Sequence, residues 1–281
     1  MLYTESFYGI SFAKYSEDLA FALSAILNSC LTTFQLAFGG GAWGLERSTV
    51  EPKDLLSIRM PDIFSQPSAL KNLVEAEATA ASSSGDAESL STLDKAVFDF
   101  YELEPDEAVL ADESIERARM LIFEGRGERQ RFVKPPTPDT LGAYAAATVR
   151  VVDRYLRAKG ARHLEATVYS QPLMRASWAE GSPGLTAVRF SMAAGKANNV
   201  PIIHRSDGPE LGDIATLIKE KLRSNIAPYV NERRLLRVYL DKDLFILKPS
   251  ELRYWTQTSG LNDADVILGD HWLGDRYADR G

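Results

Sequence analysis

The hydrophobic period of the chain changes at Gly160, and that change limits the fold more than any other feature. Before it, apolar residues recur three and four apart, as on one face of an α-helix; after it, they alternate, as on a half-buried strand. Leu19, Leu23, Ile26, Leu27, Leu31 and Phe34 mark one helix over Glu17–Phe38, with Ser16 as its N-cap and Gly39 as its stop. Further helices are expected over "VEPKDLL" behind Pro52, over Pro67–Ala81, around Leu93, Val97, Phe98 and Tyr101, over Pro105–Phe123, and from Pro138 to Gly160. This last helix carries Arg150, Arg154 and Arg157 on roughly one side.

Beyond Gly160, "HLEATVYS", "LTAVRFSMA", "VPIIHRS" and "LLRVYLDKDLFILKP" read as strands, the last pair joined through a tight turn at Asp241, Lys242 and Asp243. A helix over Leu211–Arg223 interrupts them, and Asn262 or Asp263 is expected to cap a final helix. The fold class is therefore α+β, a mainly helical N-terminal half followed by a small mixed sheet-and-helix unit of roughly four strands. Three segments follow: a helical unit over 1–81, a linker-like tract "SSSGDAES" with helical segments and a basic connector over 82–160, and the mixed unit over 161–281. Leu23, Leu27, Leu31, Val97, Phe98, Val238, Phe245 and Leu247 are the expected core.

Charge is unevenly placed. Over Met1–Glu113 there are 19 acidic and 6 basic residues, and over Ser114–Arg175 there are 6 acidic and 12 basic. The total of −7 argues against wrapping nucleic acid by bulk attraction, but the basic island can touch phosphates locally. Cys30 is the only cysteine, which excludes an intramolecular disulfide and a cysteine-based zinc cage within one chain. The opening residues lack a secretory-signal pattern and no apolar run is long enough to span a membrane, so a cytoplasmic protein is expected.

No catalytic constellation emerges. "FGGGAWG" follows a helix, whereas a phosphate loop follows a strand and opens a helix. His163, His204 and His271 lack ligand-like spacing, and Asp263, Asp265 and Asp270 read as helix-terminal charges on solvated faces. "HLEATVY" offers Glu165 but no Lys where a metal-dependent nuclease needs one, and no G-x-S-x-G elbow occurs. A degenerate nuclease would require metal-dependent cleavage to be entertained. No cofactor and no metal are expected.

"LSAILNSCLTTFQLAFGGGAWGLERSTVEPKDLLSIRMPD", Leu23 to Asp62, resembles the C-terminal target-recognition region of N6-adenine DNA methyltransferases of the Type I and Type IIG restriction-modification and phage-defence kind. The resemblance is carried by Ile26, Leu27, Asn28 and Ser29, by Trp43 and Gly44, by Glu46 and Arg47, and by Leu55, Leu56 and Pro61. "LDKAVFDFYELEPDEAVLADESIE" and "LFILKPSELRYWTQTSGLNDADVIL" are similar to later segments of the same family. Neither the family's glycine-rich S-adenosylmethionine loop nor its N-P-P-Y motif is present, since "KPPTPD" lacks the flanking polar and aromatic residues. The resemblance thus implies a bacterial accessory subunit without the catalytic domain, working with a catalytic methyltransferase or another defence effector, with double-stranded DNA as a further partner and no membrane.

Under that resemblance Trp43 stacks on or wedges into DNA while Arg47 reaches a phosphate or a guanine edge. On residue chemistry alone, Trp43 equally fits a hinge packed on the core. In "RGERQRFVKPP", Arg126, Arg129, Arg131 and Lys134 either track phosphates or form a solvated connector.

Overall fold

The computed structural model describes residues 14–39, 52–83, 86–122, 133–159, 162–174, 184–195, 202–205, 216, 220, 229–232, 235–240 and 242–269. The chain divides into two compact units, Met1–Gly125 and Arg126–Gly281, and the boundary falls inside the basic connector. The described residues are helical in the first unit and mixed in the second, an α+β protein.

The first unit contains α1 (Glu17–Asn28), α2 (Cys30–Gly39), α3 (Pro52–Ser57), a 3-10 turn (Ile63–Ser65), α4 (Pro67–Ser82), α5 (Ala87–Phe100) and α6 (Pro105–Ile122). The single helix expected over Glu17–Phe38 is broken at Ser29, and its two parts are bent by 58°. Ser29 is extended (φ −74, ψ 157), its hydroxyl donates to the Ile26 carbonyl, and the same oxygen accepts the Thr32 N–H. Asp94 on α5 accepts the Cys30 N–H at 2.7 Å. One side chain from the break and one from a neighbouring helix thus satisfy N–H groups that the new helix start exposes, which offsets the cost of the break.

The break also turns the buried face of α1. Ala22, Ala25 and Ile26 are fully buried, whereas Leu23 and Leu27, expected in the core, are only half-buried. Small alanines let α1 approach α4, where Leu73, Ala76 and Ala80 complete the contact. On α5, Val97 and Phe100 are buried and Phe98 is half-buried, because the stripe follows Leu93, Val97 and Phe100. Across α1 and α4, Glu77 accepts hydrogen bonds from Ser24 (2.5 Å) and Asn28 (3.3 Å), so this buried carboxylate has partners.

The second unit is built on a six-stranded sheet in the order β3-β1-β2-β6-β5-β4. Its strands are β1 (Arg162–Met174), β2 (Leu185–Ala194), β3 (Ile202–Arg205), β4 (Tyr229–Glu232), β5 (Leu235–Leu240) and β6 (Asp243–Pro249). Among the described strands β1 and β3 pair in parallel and the other pairs are antiparallel. The expected hairpin is present, with Leu240 opposite Asp243, while β4 carries too few apolar residues to be read in advance. The helix expected over Leu211–Arg223 lies almost wholly outside the described residues.

Alternation sends Leu164, Ala166 and Val168 of β1, Val188 and Phe190 of β2, and Leu244 and Ile246 of β6 to one core. That core is closed by α7 (Pro138–Lys159) and α8 (Gln257–Gly269). The opposite strand positions, Tyr169, Ala187, Val238, Phe245 and Leu247, form a second buried cluster, so the sheet is apolar on both faces. The cap of α8 is Thr256, whose hydroxyl accepts the Ser259 N–H, and not Asn262 or Asp263, which lie within the helix.

Candidate functional site

Sequence reasoning singles out Trp43, Arg47, Arg126, Arg129, Arg131 and Lys134. Of these, Lys134 alone falls among the described residues, and it is exposed. The two described ends that flank residues 40–51 are Gly39 at the end of α2 and Pro52 at the start of α3. Gln35 of α2 makes two bonds to the backbone of Arg59, two residues beyond α3: its Oε1 accepts the Arg59 N–H (2.9 Å) and its Nε2 donates to the Arg59 carbonyl (3.3 Å). The segment that holds Trp43 and Arg47 is therefore bounded by elements tied to each other. Phe38 of α2 (64% exposed), Leu56 of α3 (87%), Met60 after it (46%) and Phe64 of the 3-10 turn (74%) leave large apolar area in water.

Lys134 ends the basic connector in the second unit. Its carbonyl accepts the Leu252 N–H at 2.8 Å, and Pro136 is buried just beyond it. Thr137 then caps α7 by accepting the Thr140 N–H. The Lys134 side chain is thus presented from a backbone held at its own carbonyl and at the residues that follow.

Beneath that anchor lies a buried polar cluster. Lys248 stands on the core-facing side of β6, in line with Leu244 and Ile246, and pairs with Asp263 of α8. Asp263 Oδ2 also accepts the Tyr144 hydroxyl of α7 at 2.5 Å, and Lys248 Nζ donates to the Tyr254 carbonyl at 3.2 Å. The ammonium lies 4.9 Å from the Tyr144 ring centre and 5.5 Å from that of Trp255. Burial pushes the Lys248 amine below its usual range, with Asp263 opposing and Arg237 assisting the shift. Burial, followed by the Asp263 charge, raises the Tyr144 phenol well above its usual range. Because Lys248 and Asp263 are each less than a tenth exposed and hydrogen-bonded on several sides, the cluster joins β6, α7 and α8 internally.

The expectation that Asp263 caps a helix on a solvated face is thereby corrected. The signal was in the strand: a lysine at the third helix-facing position of "LFILK" must find a carboxylate or leave the core.

His163 is buried on β1, with Nδ1 3.2 Å from the Gly195 carbonyl and Nε2 3.4 Å from Glu165 Oε1. Among the described residues no three His, Cys, Asp or Glu side chains are arranged to hold a metal ion. Among the same residues no single helix is long and apolar enough to cross a membrane.

The unit boundary sharpens the charge asymmetry. Met1–Gly125 has 21 acidic and 8 basic residues, whereas Arg126–Gly281 has 18 acidic and 24 basic, counted over the whole sequence. No family model matches the chain, and no curated protein or solved structure matches it either.

Proposed function

We propose that the chain is a non-catalytic DNA-recognition or accessory subunit of a methyltransferase-like restriction or phage-defence complex. The observation that carries this reading is the division of charge at Gly125: the excess of Lys and Arg belongs to the second unit, which begins with Arg126, Arg129, Arg131 and Lys134. These four residues contact phosphates, and Trp43 and Arg47 add a stack and a groove or backbone contact. The reaction itself belongs to a catalytic partner.

The test is to replace Arg126, Arg129, Arg131 and Lys134 together by Gln and measure duplex binding by the otherwise unchanged chain. Removal of a phosphate-binding side chain makes log K less salt-dependent by about 0.9 per phosphate, so affinity at low salt falls at least about tenfold. Unaltered binding sinks the assignment of these residues.

A second reading is a pure assembly protein that docks on its catalytic partner without touching DNA. Phe38, Leu56, Met60 and Phe64 favour it, since exposed apolar area at this density suits a protein contact and not a phosphate. The two readings separate on whether the purified chain binds duplex DNA at all.

A further inference from the structure

We propose that the apolar surface formed by the end of α2, by α3 and by the 3-10 turn is the docking site for a second copy of the chain, in a two-fold symmetric contact centred on Phe38, Leu56, Met60 and Phe64. The inference goes beyond the DNA-contacting reading and does not depend on it. The fold brings the four residues to one region, because Gln35 of α2 holds both backbone polar groups of Arg59. Phe38 stands one turn beyond Gln35, Leu56 and Met60 lie on either side of Arg59, and Phe64 follows in the turn where the Asp62 carboxylate accepts its N–H at 3.0 Å. The Phe38 ring packs on Phe34, with ring centres 4.8 Å apart, and Ile63 beside Phe64 is buried. The exposed side chains therefore stand on a fixed base.

The size of the surface fits a protein contact. Taking roughly 200 Å² for a whole phenylalanine side chain, the exposures of Phe38 and Phe64 alone leave on the order of 300 Å² in water, and Leu56 and Met60 extend this area. A standard interface buries about 800 Å² on each partner, somewhat more than half of it apolar. The four side chains thus supply the greater part of the apolar area that such a contact takes from each copy.

Charge decides the occupant. Residues 67–117, which include α4, α5 and most of α6, carry 13 acidic and 3 basic side chains. By contrast α2 carries no charged residue, and residues 52–66 carry two of each sign, Lys53 and Arg59 against Asp54 and Asp62. A strongly cationic partner is drawn to the acidic helices, and an acidic one is repelled by the unit as a whole. An apolar, electrically balanced patch meets its own copy without an excess of like charge at the contact. About a two-fold axis the same patch forms both halves of the interface, so each copy covers the apolar surface of the other. A head-to-tail contact would instead leave one such patch in water at the end of every assembly.

The test is sedimentation equilibrium of the full chain from about 1 to about 100 µM, which covers the weak end of the affinities that interfaces of this size reach. The expected result is a monomer–dimer equilibrium that added salt does not weaken, since the contact is apolar. The Leu56→Glu/Phe64→Glu variant changes two exposed side chains, so it is expected to melt as wild type does and to dimerise at least about tenfold more weakly. Should that variant melt early, Phe64→Ser alone is expected to weaken the dimer about tenfold, because each dimer loses the residue twice. A wild-type chain that stays monomeric over the whole range, or a dimer that the folded variants leave intact, overturns the inference. A complex with a different protein, formed by a chain that is monomeric alone and lost in the variants, gives the surface to that partner and equally overturns a second copy there. No DNA enters the measurement, so each of these failures leaves the duplex-binding reading to its own test.

Discussion

Lys248 of β6 and Asp263 of α8 form an ion pair in the interior of the second unit, with the Tyr144 hydroxyl of α7 donating to the same carboxylate. Three elements distant in sequence are joined at one oxygen. Breaking such a pair on one side strands the other charge in a low-dielectric interior, while removing both charges need not destabilise the fold. Lys248→Met and Asp263→Asn are each expected to cost about 3–5 kcal/mol, and the double variant clearly less than the sum. Chemical denaturation of the four proteins in a double-mutant cycle measures this; additive effects would show that the pair is not coupled.

Gly260 lies where α8 crosses α7. A Cβ at this position would stand 2.5 Å from the Tyr144 carbonyl oxygen and 3.0 Å from Thr148 Oγ1, which donates to the Gly260 carbonyl. Alanine would gain about 1 kcal/mol of helix propensity, but separating two packed helices costs about 1–3 kcal/mol, and the carbonyl cannot swing aside as a side chain would. Gly260→Ala is therefore expected to lower the melting temperature. An equal or higher value would mean that the two helices part without loss.

Cys30 is expected to be a slow thiol. Burial raises its ionisation well above the ordinary range, the Asp94 and Asp112 charges add to this, and its thiol is hydrogen-bonded to Asp94. Alkylation by iodoacetamide at pH 8 should run at least about tenfold slower in the folded chain than in denaturant. Equal rates would place the thiol in water.

Asp94 contributes to the pH dependence of the first unit. Burial raises its carboxyl above the unfolded value, although the Cys30 N–H pulls the other way. A carboxyl raised on folding contributes stability that is present below the unfolded value, about 3.9, and is lost as pH rises through the folded one. Asp94→Asn keeps an oxygen for the Cys30 N–H but cannot titrate. Wild type is thus expected to gain stability relative to this variant as pH is lowered from 7 toward 4, measured by denaturation at each pH; a loss over that interval would reverse the assigned sign.

The elements were legible where one local signal dominated. Pro52, Pro67, Pro105 and Pro138 each open a helix, and the change of period at Gly160 separates the helices from the strands. The break at Ser29 was not legible, because half of what stabilises it is the Asp94 carboxylate, 64 residues from Cys30. The same holds for Asp263: helix patterning places it near a start, and only its meeting with Lys248 and Tyr144 fixes it inside. Arg150, Arg154 and Arg157 were visible as a stripe, but that Asp153 is withdrawn from it depends on a bond to β1. Trp43, Arg47, Arg126, Arg129 and Arg131 rest on the sequence.

The most direct test of whether the second unit contacts DNA through its cationic side chains is equilibrium binding of the unaltered chain to a duplex across a salt series. Saturable binding is expected at low salt, with a linear fall of log K against log salt at about 0.9 per phosphate engaged, for several phosphates. Absence of binding at low salt, or binding that salt does not weaken, would contradict DNA contact and leave the apolar surface of Phe38, Leu56, Met60 and Phe64 as the chain's principal contact.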